Sequence, residues 1–309
     1  MKEFIIKRLV VCLALLVFTS GITFFLLELA PGDPALMMLG QDATQEGLTA
    51  LRREMGLDQP LLSRYATFLG DLFQGDMGVS YQTHRPVSQE IAATFPATLE
   101  LSVASMVIAI IIGVPVGITC AIRQYSLTDR VVRFAVLIAV SLPVFWLGLM
   151  IIYLFSIVLG WFPSFGRGGL RHLVLPAVTM SCYSLAIIVR MTRSSMLEVL
   201  RCDYITATRA KGIHEFYVIY KHALRNALVP VITIIGLQFG VLLGGAVITE
   251  TIFAWPGLGR LMVQAIFARD YPIIRGGVLM ISACSILITL FVDIICSYIN
   301  PSLKPVEKS

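Results

Sequence analysis

Charge is what this sequence is short of. Only 14% of its 309 residues are Asp, Glu, Lys or Arg, against about 25% in an ordinary soluble domain. Hydrophobic residues make up 57%, and the mean hydropathy is +0.84. A folded soluble surface needs a polar cover, so this balance excludes a large soluble enzyme and leaves an integral membrane protein. The phosphate-binding pattern GxxxxGK[ST] is missing, which argues against a nucleotide site on this chain. No CxxC pair occurs. The cysteines at 12, 120, 182, 202, 284 and 296, all but Cys202 in or beside apolar runs, read as small buried hydrophobes. His84, His172, His214 and His222 are scattered without metal-ligand spacing. Ser194 and Ser195 sit beside basic residues, as a helix end rather than a nucleophile. No catalytic, metal-binding or cofactor-binding residue is therefore expected. The net charge of +5 comes from basic residues flanking apolar runs, not gathered on one face, so nucleic acid is not an expected partner.

What the chain has is long apolar runs. A membrane helix needs roughly 20 such residues to cross about 30 Å of hydrocarbon. Six segments qualify, at about 9–29, 98–122, 134–159, 173–193, 229–251 and 276–299. Each is expected to be helical, because lipid satisfies no backbone polar group. The first is too long for a secretory signal core and lacks a small-x-small cleavage site, so it is read as a span. Basic residues cluster before span one (Lys2, Lys7, Arg8), after span two (Arg123, Arg130, Arg133), after span four (Arg201, Arg209, Lys211, Lys221, Arg225) and in the tail (Lys304, Lys308). All four regions fall on one side of a six-span model. The positive-inside rule makes that side, with both termini, cytoplasmic. The implied division is 1–29 for the N-terminus and span one, 30–97 outside, 98–299 for a five-helix core, and 300–309 for a cytoplasmic tail.

Residues 30–97 are acidic on balance. Asp33, Asp42, Glu46, Glu54, Asp58, Asp71, Asp76 and Glu90 outnumber Arg52, Arg53, Arg64 and Arg85. Leu48, Leu51, Met55 and Leu57 suggest one helix, and Leu61, Leu62, Tyr65, Leu69 and Leu72 a second, with a break at Gly56. The segment is too short for an enzyme domain and reads as a cap, a docking surface, or both. Trp161 and Trp255 lie in short outer loops where interface aromatics are expected. Within the spans, Gly236, Gly240 and Gly244 make one small-residue face suited to helix packing. Pro115 and Pro143 are candidate bends. Glu28, Glu250 and Asp293 lie toward span ends. The scarcity of mid-depth charge argues against a proton- or ion-coupled carrier.

One segment interrupts the pattern. Between spans four and five, 197–228 carries basic residues and a lone glycine. Residues 203–211 read as a short helix, with Asp203 able to cap its start, its acidic charge suited to that end, and Gly212 able to close it with positive φ. Ile213, Phe216, Tyr217, Tyr220 and Leu224 then recur as one apolar stripe. Two readings stand: an interfacial helix on phospholipid, or a socket for a cytoplasmic partner, favoured by the break that sets two helices at an angle.

The stretch "DYITATRAKGIHEFYVIYKHALRNALVPVI" closely resembles the coupling motif of ABC importer permeases. "APGDPA", "MGLDQPLLSRYATFLGDLFQGDMGVSY" and "PATLELS" resemble the N-terminal half of the dipeptide, oligopeptide and nickel branch. "GWFPSFG", "LPAVTM" and "GGAVITETIFAWPGLGRLMVQAIFARDYPIIRG" resemble its later half. The likeness covers nearly the whole chain; it departs at Asn300-Pro301-Ser302, where the branch commonly carries a DPR-type motif. The resemblance implies an all-α integral membrane protein with the six-span type I importer permease fold and a helical external segment between spans one and two. It implies a homologous second permease, two ATP-binding subunits that hold ATP and Mg, and an external substrate-binding protein, in a bacterial inner membrane. Asp203, Tyr204, Ala207, Arg209, Ala210, Lys211, Gly212, Ile213, Phe216 and Tyr217 become the ATPase-coupling residues, and the implied function is ATP-driven import of di- or oligopeptides, with nickel chelates or glutathione as alternatives. A channel or scaffold without an engine is the competing class.

Overall fold

The computed structural model describes residues 2–29, 34–39, 44–54 and 56–299. Asp33, Asp42, Met55 and the 300–309 tail, with Asn300-Pro301-Ser302, lie outside the described residues. Every regular element among those described is helical: α1 (Lys2–Glu28), α2 (Pro34–Leu39), α3 (Gln45–Glu54), α4 (Leu61–Phe73), α5 (Val87–Ile122), α6 (Leu127–Ser141), α7 (Val144–Ile151), α8 (Leu170–Leu200), α9 (Asp203–Ala210), α10 (Glu215–Tyr217), α11 (Leu224–Ile252), α12 (Leu258–Ala268) and α13 (Tyr271–Ile299). Two π-helical segments join them, Ile152–Val158 after α7 and Val218–Ala223 between α10 and α11. Five helical stretches are long and apolar enough to cross a membrane, and six if the bent α6–α7 pair counts as one span.

That pair is where the expected third span differs most. It starts earlier than anticipated, at Leu127, and turns by 105° between Ser141 and Val144. Pro143 explains the turn. It has no N–H to donate and drives the preceding residue out of the helical region, and Leu142 is indeed extended at φ −81°, ψ 131°. By contrast, α5 runs on past Pro115.

The chain packs as two compact units, Met1–Thr98 with Pro256–Cys284, and Leu99–Trp255 with Ser285–Ser309. In the first unit, α4 lays Tyr65 and Phe68 on Phe24 of α1, at ring-centroid distances of 5.4 and 5.6 Å. Tyr65 donates to the Val17 carbonyl at 3.0 Å, and Arg64 pairs with Glu28. The Arg275 guanidinium lies between the Phe24 and Phe68 rings, 4.7 and 4.6 Å from their centroids. Gly56 breaks the chain between α3 and α4 at φ +65°. A second cluster gathers Val87 and Ile91 of α5, Leu258 and Ala265 of α12, and Ile273 of α13. The buried Asp270 carboxylate accepts from the Ser80 hydroxyl and from the Tyr81 and Gln82 amides, pinning the turn before α5.

In the second unit, α8 is the central helix. Burial of Ser181, Ser184, Thr192 and Ser195 gives it a polar inner face. Ser184 hydrogen-bonds Gln238 of α11 at 3.2 Å. α5 and α8 approach closely at Gly117. A Cβ on Gly117 would lie 2.6 Å from Thr192 Cβ and 2.9 Å from the Val189 carbonyl oxygen. Trp255 is fully buried rather than an interface aromatic. Ala254 adopts φ +49° and the Trp255 amide returns to the Glu250 carbonyl at 2.8 Å, folding the ring inward. Trp161 is exposed.

Candidate functional site

The segment between α8 and α11 is built from two short helical pieces and a glycine joint. Cys202, not Asp203, takes the cap position of α9; it is extended at φ −72°, ψ 144°, and its side chain makes no cap bond. Asp203 is instead the first residue of the helix, where its charge suits the positive end. Lys211 ends α9, and Gly212 follows at φ +71° with its amide on the Arg209 carbonyl at 2.9 Å. Beyond its two chain neighbours, no described atom lies within 4 Å of where a Gly212 Cβ would be, so backbone conformation selects glycine there. His214 caps α10 by accepting from the Phe216 amide at 3.3 Å.

Across the joint, Arg209 donates to both Glu215 carboxylate oxygens from one guanidinium edge, Nε to Oε2 at 3.1 Å and Nη2 to Oε1 at 2.7 Å. That hydrogen-bonded carboxylate raises the Arg209 pKa above its usual value. Both side chains are exposed, so the pair orients the two helices more than it stabilises them. Tyr204 accepts from the Asn226 amide side chain at 2.7 Å, tying α9 to α11.

Ile205 is the only buried residue of α9. It enters a cluster with Ile118 and Ala121 of α5, Met196 of α8, and Val218, Ile219 and Ala223 of the π-helical segment. Ile213 and Leu224 pack against the same cluster. Phe216, Tyr217 and Tyr220 do not. They are 56%, 56% and 45% exposed, with the Phe216 ring edge-on to Tyr217 and 4.7 Å from Tyr220. The expected single stripe is thus split. A 3.6-residue period assumes an α-helix, whereas the wider turn of a π-helix re-registers the face. The second piece is also no separate helix, since Glu215–Ile252 is one helical stretch. Of the remaining expected coupling residues, Asp203, Ala207, Ala210 and Lys211 are exposed on the outer side of α9 and its end.

The three glycines of α11 meet different surroundings. A Cβ on Gly236 would overlap Val292 of α13, one on Gly240 would sit 3.5 Å from the Ser285 hydroxyl, and one on Gly244 would meet nothing within 4 Å. Gly244 instead belongs to an exposed row with Leu237, Val241, Gly245 and Ile248.

Among the described residues the chain is all-helical, with five helices, or six if the bent α6–α7 pair is one span, long and apolar enough to cross a membrane, and a short helix, α9, between two of them. Its fold is similar to that of a chain of the MetNI methionine ABC transporter in an inward-facing conformation, with TM-score 0.61 and 21% identity over 69% of this chain and 97% of that one. Residues 113–305 match the family of the binding-protein-dependent transport system inner membrane component, and residues 1–102 match the N-terminal family of the same membrane components. The chain belongs to this family: it is the permease subunit of an ABC importer, a multi-pass membrane protein and not itself an enzyme. It is 42% identical to the dipeptide transport system permease protein DppB of Alkalihalophilus pseudofirmus, over 98% of this chain and all of that one. It is 41% identical to the glutathione transport system permease protein GsiC of Escherichia coli, over 98% and 99%.

Proposed function

We propose that this permease forms half of a pathway for ATP-driven import of di- or oligopeptides. A homologous second permease completes the pathway, two ATP-binding subunits holding ATP and Mg drive it, and an external binding protein delivers the substrate. The observation that carries the coupling role is the joint at Gly212. It sets α9 against α10 and leaves Phe216, Tyr217 and Tyr220 uncovered on a face whose opposite side is packed into the bundle. Large apolar rings left in the open in a small cluster suit a protein partner. In this reading α9 and α10 seat in an ATPase subunit, both termini and 197–228 face the cytoplasm, and residues 30–97 face outward toward the binding protein. ATP binding closes the ATPases and moves α9; Ile205 passes that movement to α5 and α8. The row Leu237, Val241, Gly244, Gly245 and Ile248 faces the second permease, and the bilayer covers the rest.

The peptide substrate rests on the dipeptide permease among the relatives. A glutathione permease at nearly the same identity supports glutathione as the second reading. Both are short peptidic zwitterions, and a nickel chelate stands outside that chemistry. The test is uptake into vesicles holding the complete complex, with labelled dipeptide, glutathione and nickel chelate compared. ATP-dependent dipeptide accumulation is expected. Flux without the ATPases would instead mean a channel, and no flux of any solute a scaffold.

A further inference from the structure

Outside the α9–α10 joint, the most heavily built polar feature of the second unit is the Asp129 carboxylate. Its side chain is fully shielded within the chain, at the start of α6 beside the basic residues Arg130 and Arg133. Arg193 of α8 holds it with two parallel bonds, Nε to Oδ1 at 2.7 Å and Nη2 to Oδ2 at 3.0 Å. The Tyr125 amide donates to Oδ2 at 3.1 Å, and Arg133 approaches the same oxygen at 3.6 Å. Ser126 accepts from the Asp129 amide at 3.2 Å, capping α6. Tyr125 reaches the carboxylate only by taking φ +62°, a conformation uncommon for an aromatic residue. Strain of this kind persists where the surroundings over-determine it. A two-pronged Arg–carboxylate pair fixes orientation as well as distance.

Its position gives the pair a use. Thr192, beside Arg193, is where α8 presses on Gly117 of α5. Met196, one turn further along α8, lies in the cluster that receives Ile205 of α9. The same few turns of α8 therefore touch α5, α6 and the cluster around α9. No other polar contact among those described links α6 to α8 at this end. From α6 the chain continues through Leu142 and Pro143 into α7, the other half of the broken span.

We propose that Asp129 and Arg193 are positioning residues that lock α6 to α8, so that a displacement of α9 is carried into the broken α6–α7 span rather than dissipated by sliding between helices. This rests on the coupling role assigned above to α9.

The test uses the complete complex, co-expressed with its ATPases and partner permease and reconstituted in vesicles. Asp129→Asn and Arg193→Lys are compared with wild type for yield of assembled complex, ATP hydrolysis and solute taken up per ATP. Arg193→Lys keeps the charge, so insertion and assembly survive, but a lysine has no second prong. The lock predicts retained hydrolysis with uptake per ATP reduced at least about fivefold in Asp129→Asn, the low end of ordinary coupling between distant sites, and a smaller reduction in Arg193→Lys. A merely structural pair would lower the yield and leave uptake per ATP at the wild-type value in whatever complex forms; that result overturns the proposal. If Asp129→Asn gives no complex, Arg193→Lys decides alone, and wild-type uptake per ATP in it is the contrary result. Gly212→Val is run in parallel. If Gly212→Val uncouples and the pair variants do not, only the lock fails. If Gly212→Val behaves as wild type, the coupling role of α9 fails with it.

Discussion

A single methyl group should be felt at the α5–α8 crossing, where one of the obstructing atoms is a backbone oxygen. Gly117→Ala would put Cβ 2.6 Å from Thr192 Cβ, 3.0 Å from Thr192 Cγ2 and 2.9 Å from the Val189 carbonyl oxygen. Carbon atoms prefer about 3.5–4.0 Å, so the helices must part locally by about 1 Å, enough to forfeit a quarter to a half of each dispersion contact along the seam. One of the obstructing atoms is backbone, which cannot rotate aside. Overpacking of this kind costs about 1–3 kcal/mol. Alanine is also a better helix former than glycine by about 1 kcal/mol, so the comparison must cancel that term. Gly244→Ala does so: it makes the same chemical change where nothing beyond its own helix backbone and chain neighbours is within 4 Å. Denaturant titration of the isolated permease in mixed micelles, followed by tryptophan fluorescence, should find Gly117→Ala less stable than Gly244→Ala by about 1–3 kcal/mol, at least about fivefold in the folded-to-unfolded ratio. Equal midpoints would refute the tight crossing.

Other outcomes follow from the same structure. Gly212→Ala should cost about 1 kcal/mol, since positive φ burdens any residue with a Cβ; co-purification with the ATPases should survive it, while Gly212→Val should lose co-purification or hydrolyse ATP without uptake. Arg275→Met keeps an apolar stem but removes the cation between two rings, worth about 0.5–2 kcal/mol per ring; hydrogen exchange across Leu61–Phe73 should quicken, and unchanged protection would contradict the pin. A cysteine at Gln45 or Gln82 should react with a membrane-impermeant reagent in intact cells; reaction only after lysis would invert the topology. On α11, Gly236→Leu should disturb packing within the chain more than Gly240→Leu, judged by recovery of folded permease, because only Gly236 is blocked by Val292.

Much of the fold was legible because lipid leaves the backbone few choices. Apolar length points to the long helices, though not to the early start of the third at Leu127, and the φ of Gly212 suits the one residue without a Cβ; proline alone does not mark the turn, since Pro143 breaks its helix and Pro115 does not. The rest depended on properties that a linear pattern does not carry. An α-helical period places Phe216, Tyr217 and Tyr220 on one stripe with Ile213 and Leu224, whereas the π-helical turn buries Val218, Ile219 and Ala223. Ile205 offered a signal, as the one aliphatic residue larger than alanine in α9, but its burial depends on a cluster drawn from α5 and α8. The Asp129–Arg193 pair joins residues 64 positions apart, and nothing near either residue names the other. Trp255 looked like other loop aromatics until the turn at Ala254 folded it inward. Glycine spacing marked α11 as a packing helix, but only the neighbouring side chains tell which glycine is pressed and which is open.

The central claim is that the face carrying Phe216, Tyr217 and Tyr220 meets an ATPase rather than phospholipid. A photo-reactive amino acid in place of Tyr217, in cells co-expressing the complete complex, tests it directly. The expected product is an adduct of permease plus one ATPase subunit, with a yield that changes when ATP is trapped on the complex. Adducts with lipid alone, unaltered by ATP, would contradict it and return the segment to a helix lying on the membrane surface.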